Sequence, residues 1–189
     1  MTDKPTIRKA MRKLRQAFTI DEQTGASMEV FKRMREIQLL ASANHIAVYL
    51  ANDGEIDPNV IVTSMWRSGK KTYLPILREG NELGFLPYEE NTALKPNRVG
   101  IPEPVTDSDL LTLDKLDAVL LPLVAFDKQK NRLGMGGGFY DRSLAECLTK
   151  ACPLLIGLGH ECQLFDGELP CDPWDVPLDI VVTDKTIYR

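Results

Sequence analysis

Apolar positions recur along the chain in short segments of two periods, 3.6 and 2, separated by Gly, Pro and charged residues. Val30, Met34, Ile37 and Leu40 fall at roughly helical spacing and predict a helix over 26–41, and a similar pattern predicts one over 6–18. HIAVYL (45–50) is a compact apolar run that reads as a buried strand. DPNVIVTSMWRSG (57–69) reads as a helix with Asp57 as N-cap and Pro58 in the first turn, closing at Gly69. KTYLPIL (71–77) is the next strand, which completes a β-α-β unit, and ELGFLPY (82–88) is a weaker strand candidate after the turn at Gly80-Asn81. Residues 91–109 carry three prolines and few apolar positions, as a long functional loop does. LDAVLLPLVAF (116–126) is the longest apolar run, bounded by charges, and predicts a central strand buried on both faces. A helix near 139–150, a strand LLIGLG (154–159) and a short terminal strand DIVVTD (179–184) follow. The alternation predicts an α/β fold: a three-layer α/β/α sandwich with a largely parallel central sheet, formed by one domain over 1–189. Ligands of such sheets sit beyond the carboxyl ends of the strands.

Composition narrows the classes. The chain has 189 residues, 43% of them hydrophobic, enough for one core, and its formal charge of −4 argues against a general nucleic-acid coat. The charge is uneven: Lys4, Arg8, Lys9, Arg12, Lys13 and Arg15 face only Asp3 within residues 1–20. No apolar run approaches the ~20 residues that span a bilayer, and the basic start lacks the apolar centre of a signal peptide. Asp3 and the helical spacing that follows it argue against a transit peptide, so a cytoplasmic location is expected. Cys147, Cys152, Cys162 and Cys171 form no C-x-x-C pair and read as reduced thiols, with Cys147 and Cys152 buried.

NRLGMGGGFYDRSL (131–144) follows the central apolar run directly. A strand, then glycines, then a helix can turn several backbone N–H groups toward one anion. The loop is neither a P-loop nor a dinucleotide fingerprint, since Phe139 stands where the latter needs Gly. On the residues alone two readings stand: a phosphate cradle, or a flexible turn whose glycines adopt positive φ. Arg132 suits anion pairing, while Asp141 suits either a magnesium ligand or a helix cap. The basic N-terminal stretch reads either as a phosphate clamp or as a solvated helix face, and Glu55 as a ligand group or an exposed turn residue. His45 reads as a structural histidine, Trp66 as packing, and His160-Glu161 lacks the second His of a zinc hydrolase motif.

LPLVAFDKQKNRLGMGGGFYDRSL (121–144) resembles the signature of the 5-formyltetrahydrofolate cyclo-ligase (5,10-methenyltetrahydrofolate synthetase) family, P-x-x-x-F-D, a short gap, then R-L-G-x-G-x-G-[YF]-Y-D. The resemblance extends to the K-x-x-x-R start at Lys4 and Arg8, to YLANDGEID around Glu55, to GIPEP (100–104) and to WDVPLDIVVTD (174–184). It implies an α/β/α sandwich that converts 5-formyltetrahydrofolate and MgATP to 5,10-methenyltetrahydrofolate, ADP and phosphate. ATP is then expected on Lys4, Arg8 and the loop Arg132, Leu133, Gly134, Met135, Gly136, Gly137, Gly138, Phe139 and Tyr140. Arg132 and Tyr140 are the implied catalytic residues, and Asp141 and Asp175 the implied Mg²⁺ ligands, with Asp179 left to start the last strand. Leu50, Glu55 and residues Met135 to Phe139 are the implied folate contacts. Partners would be small molecules alone, with no nucleic acid or membrane, and the chain a monomer. Phe139 stands where many members have Tyr, Trp174 where a His is frequent, and Met135 and Gly137 where some have a basic residue. A non-catalytic binder of the folate or a nucleotide and a sugar-phosphate isomerase are the competing readings.

Overall fold

The computed structural model describes residues 3–148 and 152–189. Helix α1 (Lys4–Gln16) starts where the Asp3 carboxylate accepts the Thr6 N–H at 2.9 Å and Pro5 occupies a first-turn position that needs no donor. Helix α2 spans Ile20–Glu36, so it begins six residues before the expected start and ends five before the expected stop. Its start signal is a capping box, Thr19 with Glu22, ahead of the apolar periodicity. Helix α3 (Asn59–Arg67) begins after Pro58; Asp57 stands just outside it and accepts the Asn59 N–H at 2.9 Å, one residue off its expected capping place.

The strands β1 (His45–Ala47), β2 (Lys71–Leu77), β3 (Leu83–Tyr88), β6 (Ala118–Pro122), β9 (Leu154–Gly159), β10 (Ile180–Thr183) and β11 (Ile187–Tyr188) form one sheet in the order β11-β10-β9-β6-β1-β2-β3. Its five central strands are parallel and its two edge strands antiparallel. Strand β1 is shorter than HIAVYL because beyond Ala47 only Val48 still bonds across, to Tyr73 O, and the chain then leaves the sheet.

Two expected elements break up. The run 116–126 is not one strand: β6 ends at Pro122, and β7 (Ala125–Phe126) pairs antiparallel with β8 (Arg132–Leu133). Pro122 has no N–H for a ladder, and the next carbonyl, Leu123 O, is taken by Arg15 Nη1 and Gln163 Nε2. The helix expected over 139–150 is α4 (Phe139–Ser143) followed by a 3-10 turn at Ala145–Leu148, and residues 149–150 lie outside the described residues. Residues 91–109 contain a small hairpin, β4 (Leu94–Pro96) with β5 (Pro102–Pro104). Glu103 pins it to the end of β2 by accepting from Leu77 N and Asn97 Nδ2, both at 2.7 Å.

Alternate side chains of the central strands feed two apolar clusters. Leu120, Ile156 and Leu158 join Val30 and Met34 of α2 and Ile61 and Met65 of α3 on one face. Val119, Leu121 and Leu155 join Phe126, Leu144, Val176 and Leu178 on the other. Two-sided burial is why the parallel strands read as continuous apolar runs. The second face is covered by the β7–β8 ribbon, the short α4 and the 164–178 segment more than by long helices. Helix α1 docks at the carboxyl edge, with Ile7 against Ala125, Leu133 and Leu169. Cys147 and Cys152 are joined in a disulfide, which corrects the expectation of reduced, buried thiols. The chain after α4 brings their Cα atoms to 5.3 Å, within disulfide reach, and both are half-buried; Cys162 and Cys171 are free.

Candidate active site

The chain leaves β1 toward β2 on one side of the sheet, while β6, β9 and β10 lie on the other, so the strand order reverses between β1 and β6. A crevice opens at such a point, outside the carboxyl ends of the two strands. A cleft of about 570 Å³ is found there, lined by Glu55 from the segment after β1, by Pro122 to Val124 at the end of β6, by the glycine loop and by α1.

On one wall, Arg8 Nε donates to Gly134 O at 2.8 Å and Arg142 Nη2 donates to Gly137 O, so two guanidinium groups brace the loop through its carbonyls. The Arg142 guanidinium also lies 5.7 Å from the Phe139 ring centroid. Gly136 and Gly138 have φ of +101° and +64°, a region that L side chains rarely adopt, and Gly138 caps α4. Helix α4 has only five residues, so the dipole behind the backbone N–H groups at its start is little more than one turn deep. The positive charge at this wall comes instead from Lys4, Arg8, Arg132 and Arg142, which all line the cleft.

Arg132 is nearly buried; Nη2 meets Asp141 Oδ1 at 2.5 Å and Nη1 donates to Val176 O. Burial pulls its pKa below the ordinary arginine value, while Asp141 pulls the other way. Lys4 Nζ bridges Asp172 at 2.6 Å and Asp175 at 2.8 Å. Burial works against the Lys4 ammonium, yet these two hydrogen bonds leave its pKa raised. Burial also works against the Asp175 carboxylate, but Lys4 and the Asp172 N–H hold it below its ordinary value. Asp141 and Asp175 thus line the cleft with a cation already opposite each of them. Among the described residues no group of three or more His, Cys, Asp or Glu gathers as a metal cage. Asp141 and Asp175 are nevertheless hard carboxylate donors on one cleft, a donor set that fits Mg²⁺, which commonly takes one or two carboxylates and completes its octahedron with other oxygens and water.

On the other wall, burial pushes the Glu55 carboxyl up to about 7, with Arg15 opposing the rise. Tyr140 is held well above the ordinary phenol value, by burial first and by the Glu55 charge second. The exposed Met135 and the Phe139 ring complete this wall. Of the residues singled out from the sequence, Lys4, Arg8, Glu55, Arg132 to Asp141 and Asp175 all line the cleft; Leu50 does not, and packs against the α2–α3 side of the core. His45 pairs with Tyr73 through Nδ1 and the hydroxyl at 2.8 Å, and Trp66 donates to Thr72, so both are packing groups. Asp172, Arg142, Trp174 and Ile101 also line the cleft without having been expected there. Arg142 follows the expected Asp141 and Asp172 lies three residues before the expected Asp175, but their direction depends on tertiary turns. Arg15 and Asp53 meet behind Glu55; Arg15 had one sequence signal, since Lys4, Arg8, Arg12 and Arg15 share a helix face at spacings of four, four and three, and Asp53 had none of that kind.

The 5-formyltetrahydrofolate cyclo-ligase family model matches residues 1–184. A 5-formyltetrahydrofolate cyclo-ligase of Escherichia coli is 40% identical over 183 residues, covering 95% of this chain and 99% of its own. One of Haemophilus influenzae is 41% identical over 180 residues, covering 93% and 95%. The NMR structure of the 5,10-methenyltetrahydrofolate synthetase of Aquifex aeolicus superimposes with a TM-score of 0.83 at 30% identity, covering 98% of this chain and 92% of that one.

Proposed function

The chain belongs to the 5-formyltetrahydrofolate cyclo-ligase family, and from that membership we propose how its own residues carry out the family reaction. The protein is an ATP-dependent ligase that cyclises 5-formyltetrahydrofolate to 5,10-methenyltetrahydrofolate with release of ADP and phosphate. A formyl oxygen is a poor leaving group as hydroxide. It becomes a good one when it attacks the γ-phosphorus, the bond to the β,γ-bridging oxygen breaks and ADP departs. The N-10 amine then attacks the formyl carbon and loses its proton, and phosphate leaves with the oxygen. Such a transfer depends on alignment and on neutralising charge.

The glycine loop and the guanidinium groups of Arg8 and Arg132 receive the phosphates, with Lys4 reaching over from α1. Asp141 and Asp175 are the residues that would hold Mg²⁺, whose charge offsets that of the phosphate oxygens. When a triphosphate enters, Lys4 and Arg132 exchange these carboxylates for phosphate oxygens, which is why both pairs face the cleft. Glu55 accepts from the amino and ring N–H groups of the pterin, and Met135 and Phe139 cover its face. Tyr140, kept protonated by burial, presents an O–H where the two walls meet. The chain is read as one unit over 1–189, acting as a cytoplasmic monomer on small molecules; among the described residues no helix is long and apolar enough to cross a membrane.

One observation carries this reading: the Arg132–Asp141 and Lys4–Asp175 pairs share a cleft with the buried carboxyl of Glu55. The test is to mix the purified protein with 5-formyltetrahydrofolate and MgATP and follow the strongly absorbing methenyl product. Product formed with stoichiometric ADP supports the reading, and occupancy without product identifies a binder instead. Asp141→Ala should fold normally and lose turnover by about a hundredfold or more, as losses of transition-state charge stabilisation do.

A further inference from the structure

We propose that Arg15 is a positioning residue of this active site, holding Glu55 in place by tying its loop to α1 and to the end of β6. The proposal deepens the reading of Glu55 given above and rests on it.

Arg15 lies in the last turn of α1, and its side chain is fully withdrawn from water. Burying a charge is costly, and packing alone would be served by an apolar side chain. The donors of the guanidinium are distributed over different segments. Nε donates to Asp53 O at 2.7 Å, Nη1 to Leu123 O at 2.7 Å and Nη2 to Asp53 Oδ2 at 2.7 Å. Nη2 also stands 3.6 Å from Glu55 Oε1 and 3.9 Å from Met135 Sδ. One rigid fork thus touches the loop before Glu55, the carboxyl end of β6 and the glycine loop, a division that an ammonium cannot reproduce.

The loop needs such a grip. Asp53 and Gly54 are consecutive residues at φ of +53° and +75°, and a Cβ at Gly54 would lie 3.1 Å from Arg15 O. Arg12 and Gln16 also reach Asp53 from α1, and His160 bonds Gly54 O through Nε2 at 3.1 Å. Only Arg15, among these, extends past the turn to Glu55 itself.

The titratable groups facing Glu55 are Arg15 from α1, Asp53 in its own loop, Tyr49 after β1 and Tyr140 from α4; Lys4, Arg8 and Arg132 share its cleft, and Oε2 also accepts the Asn52 N–H of the same loop at 3.1 Å. Both phenols are held protonated by burial. Arg15 is therefore the cation next to the carboxylate, and its removal leaves the burial of Glu55 less opposed. The pH at which Glu55 ionises then rises.

The experiment measures kcat/KM for 5-formyltetrahydrofolate across pH in the unmodified protein, Arg15→Lys, Arg15→Gln, Glu55→Gln and the Arg15→Gln/Glu55→Gln double variant. For Arg15→Gln the acid limb should move up by about one pH unit and KM for the folate rise about tenfold, since loss of a nearby opposite charge shifts a carboxylate by that order. Arg15→Lys keeps the charge and should restore the limb but not the KM. KM for ATP should change by less than about threefold in either variant, because Ile7 and the Arg12–Asp53 pair keep α1 docked. With Glu55→Gln already present, Arg15→Gln should add less than about threefold, the non-additivity expected of coupled residues. An unmoved limb with equal losses for both substrates, or additive losses in the double variant, overturns the proposal. If Arg15→Gln does not fold, Arg15→Lys decides: a folate KM that stays at the unmodified value, or an ATP KM that rises with it, overturns it. Failure of the unmodified protein to make methenyl product would instead strike at the proposed reaction, and is read first.

Discussion

Asp127 and Glu55 are both carboxyl groups removed from water, and their surroundings make them opposites. Asp127 is fully buried and accepts from Gln129 N, Asn131 N, Asn131 Nδ2 and Leu169 N at 2.9–3.0 Å, so every lone-pair direction is met by a donor. It closes the β7–β8 turn and ties it to Leu169. Asp127→Ala should cost about 3–5 kcal/mol in urea unfolding, because it removes four hydrogen bonds to a buried carboxylate and leaves the buried Leu169 N–H without its acceptor. Glu55 has fewer partners, and burial pushes it up to about 7 from an ordinary 4.5. Between those values the native state binds more protons than the unfolded chain, so this group's contribution to stability falls as pH rises from about 4.5 to about 7. Ligand-free Glu55→Gln should therefore melt higher than the unmodified protein at pH 8, by on the order of 1–3 kcal/mol, with the gain gone below pH 4.5. Thermal melts across pH check the sign. Asp127 was legible as part of a motif, but its fourfold coordination was not, since Leu169 is 42 residues away.

At the scale of elements, the glycine loop shows what local sequence can and cannot specify. Four of its glycines were expected to admit an anion or a positive φ, and the structure divides them. Gly136 and Gly138 need their backbone conformation, whereas nothing lies within 4 Å of a Cβ placed on Gly134. Gly138→Ala should lower Tm by several degrees, since a left-handed non-glycine residue costs about 1 kcal/mol. Gly134→Ala should leave Tm nearly unchanged, so that any loss of ATP affinity there reports the approach of phosphate. The apolar run 116–126 reads as continuous because both halves are buried and hydrophobic, and Pro122 is the one residue in it that signals the break. The hairpin over 94–104 went unread because two three-residue strands carry too little alternation to register. The α2 capping box, by contrast, was readable as Thr19 and Glu22 and sets the helix start better than apolar spacing does.

In the whole molecule, α1 crosses the carboxyl edge of the sheet and presents Lys4 and Arg8 to one wall while Arg15 stands behind the other. Binding energy gathered at either wall should thus appear as stability. At a hundred times the dissociation constant, MgATP and 5-formyltetrahydrofolate should each add about 2.7 kcal/mol, read as a rise in Tm. Replacing Lys4 and Arg8 by Met should remove the ATP shift and keep the folate shift, and Glu55→Gln should do the reverse. Residue order by itself determined the alternation of elements, the parallel centre and the place of the glycine loop, since each follows from local period and from the rule that ligands meet strand ends. Tertiary structure alone decided that Lys4 meets Asp172 and Asp175, that Leu50 packs half-buried against the α2–α3 side of the core and that Arg15 stands behind Glu55. Those contacts join residues far apart in the chain: helical spacing puts Lys4, Arg8, Arg12 and Arg15 on one face, but only the packing of α1 on the sheet edge decides which charges they meet.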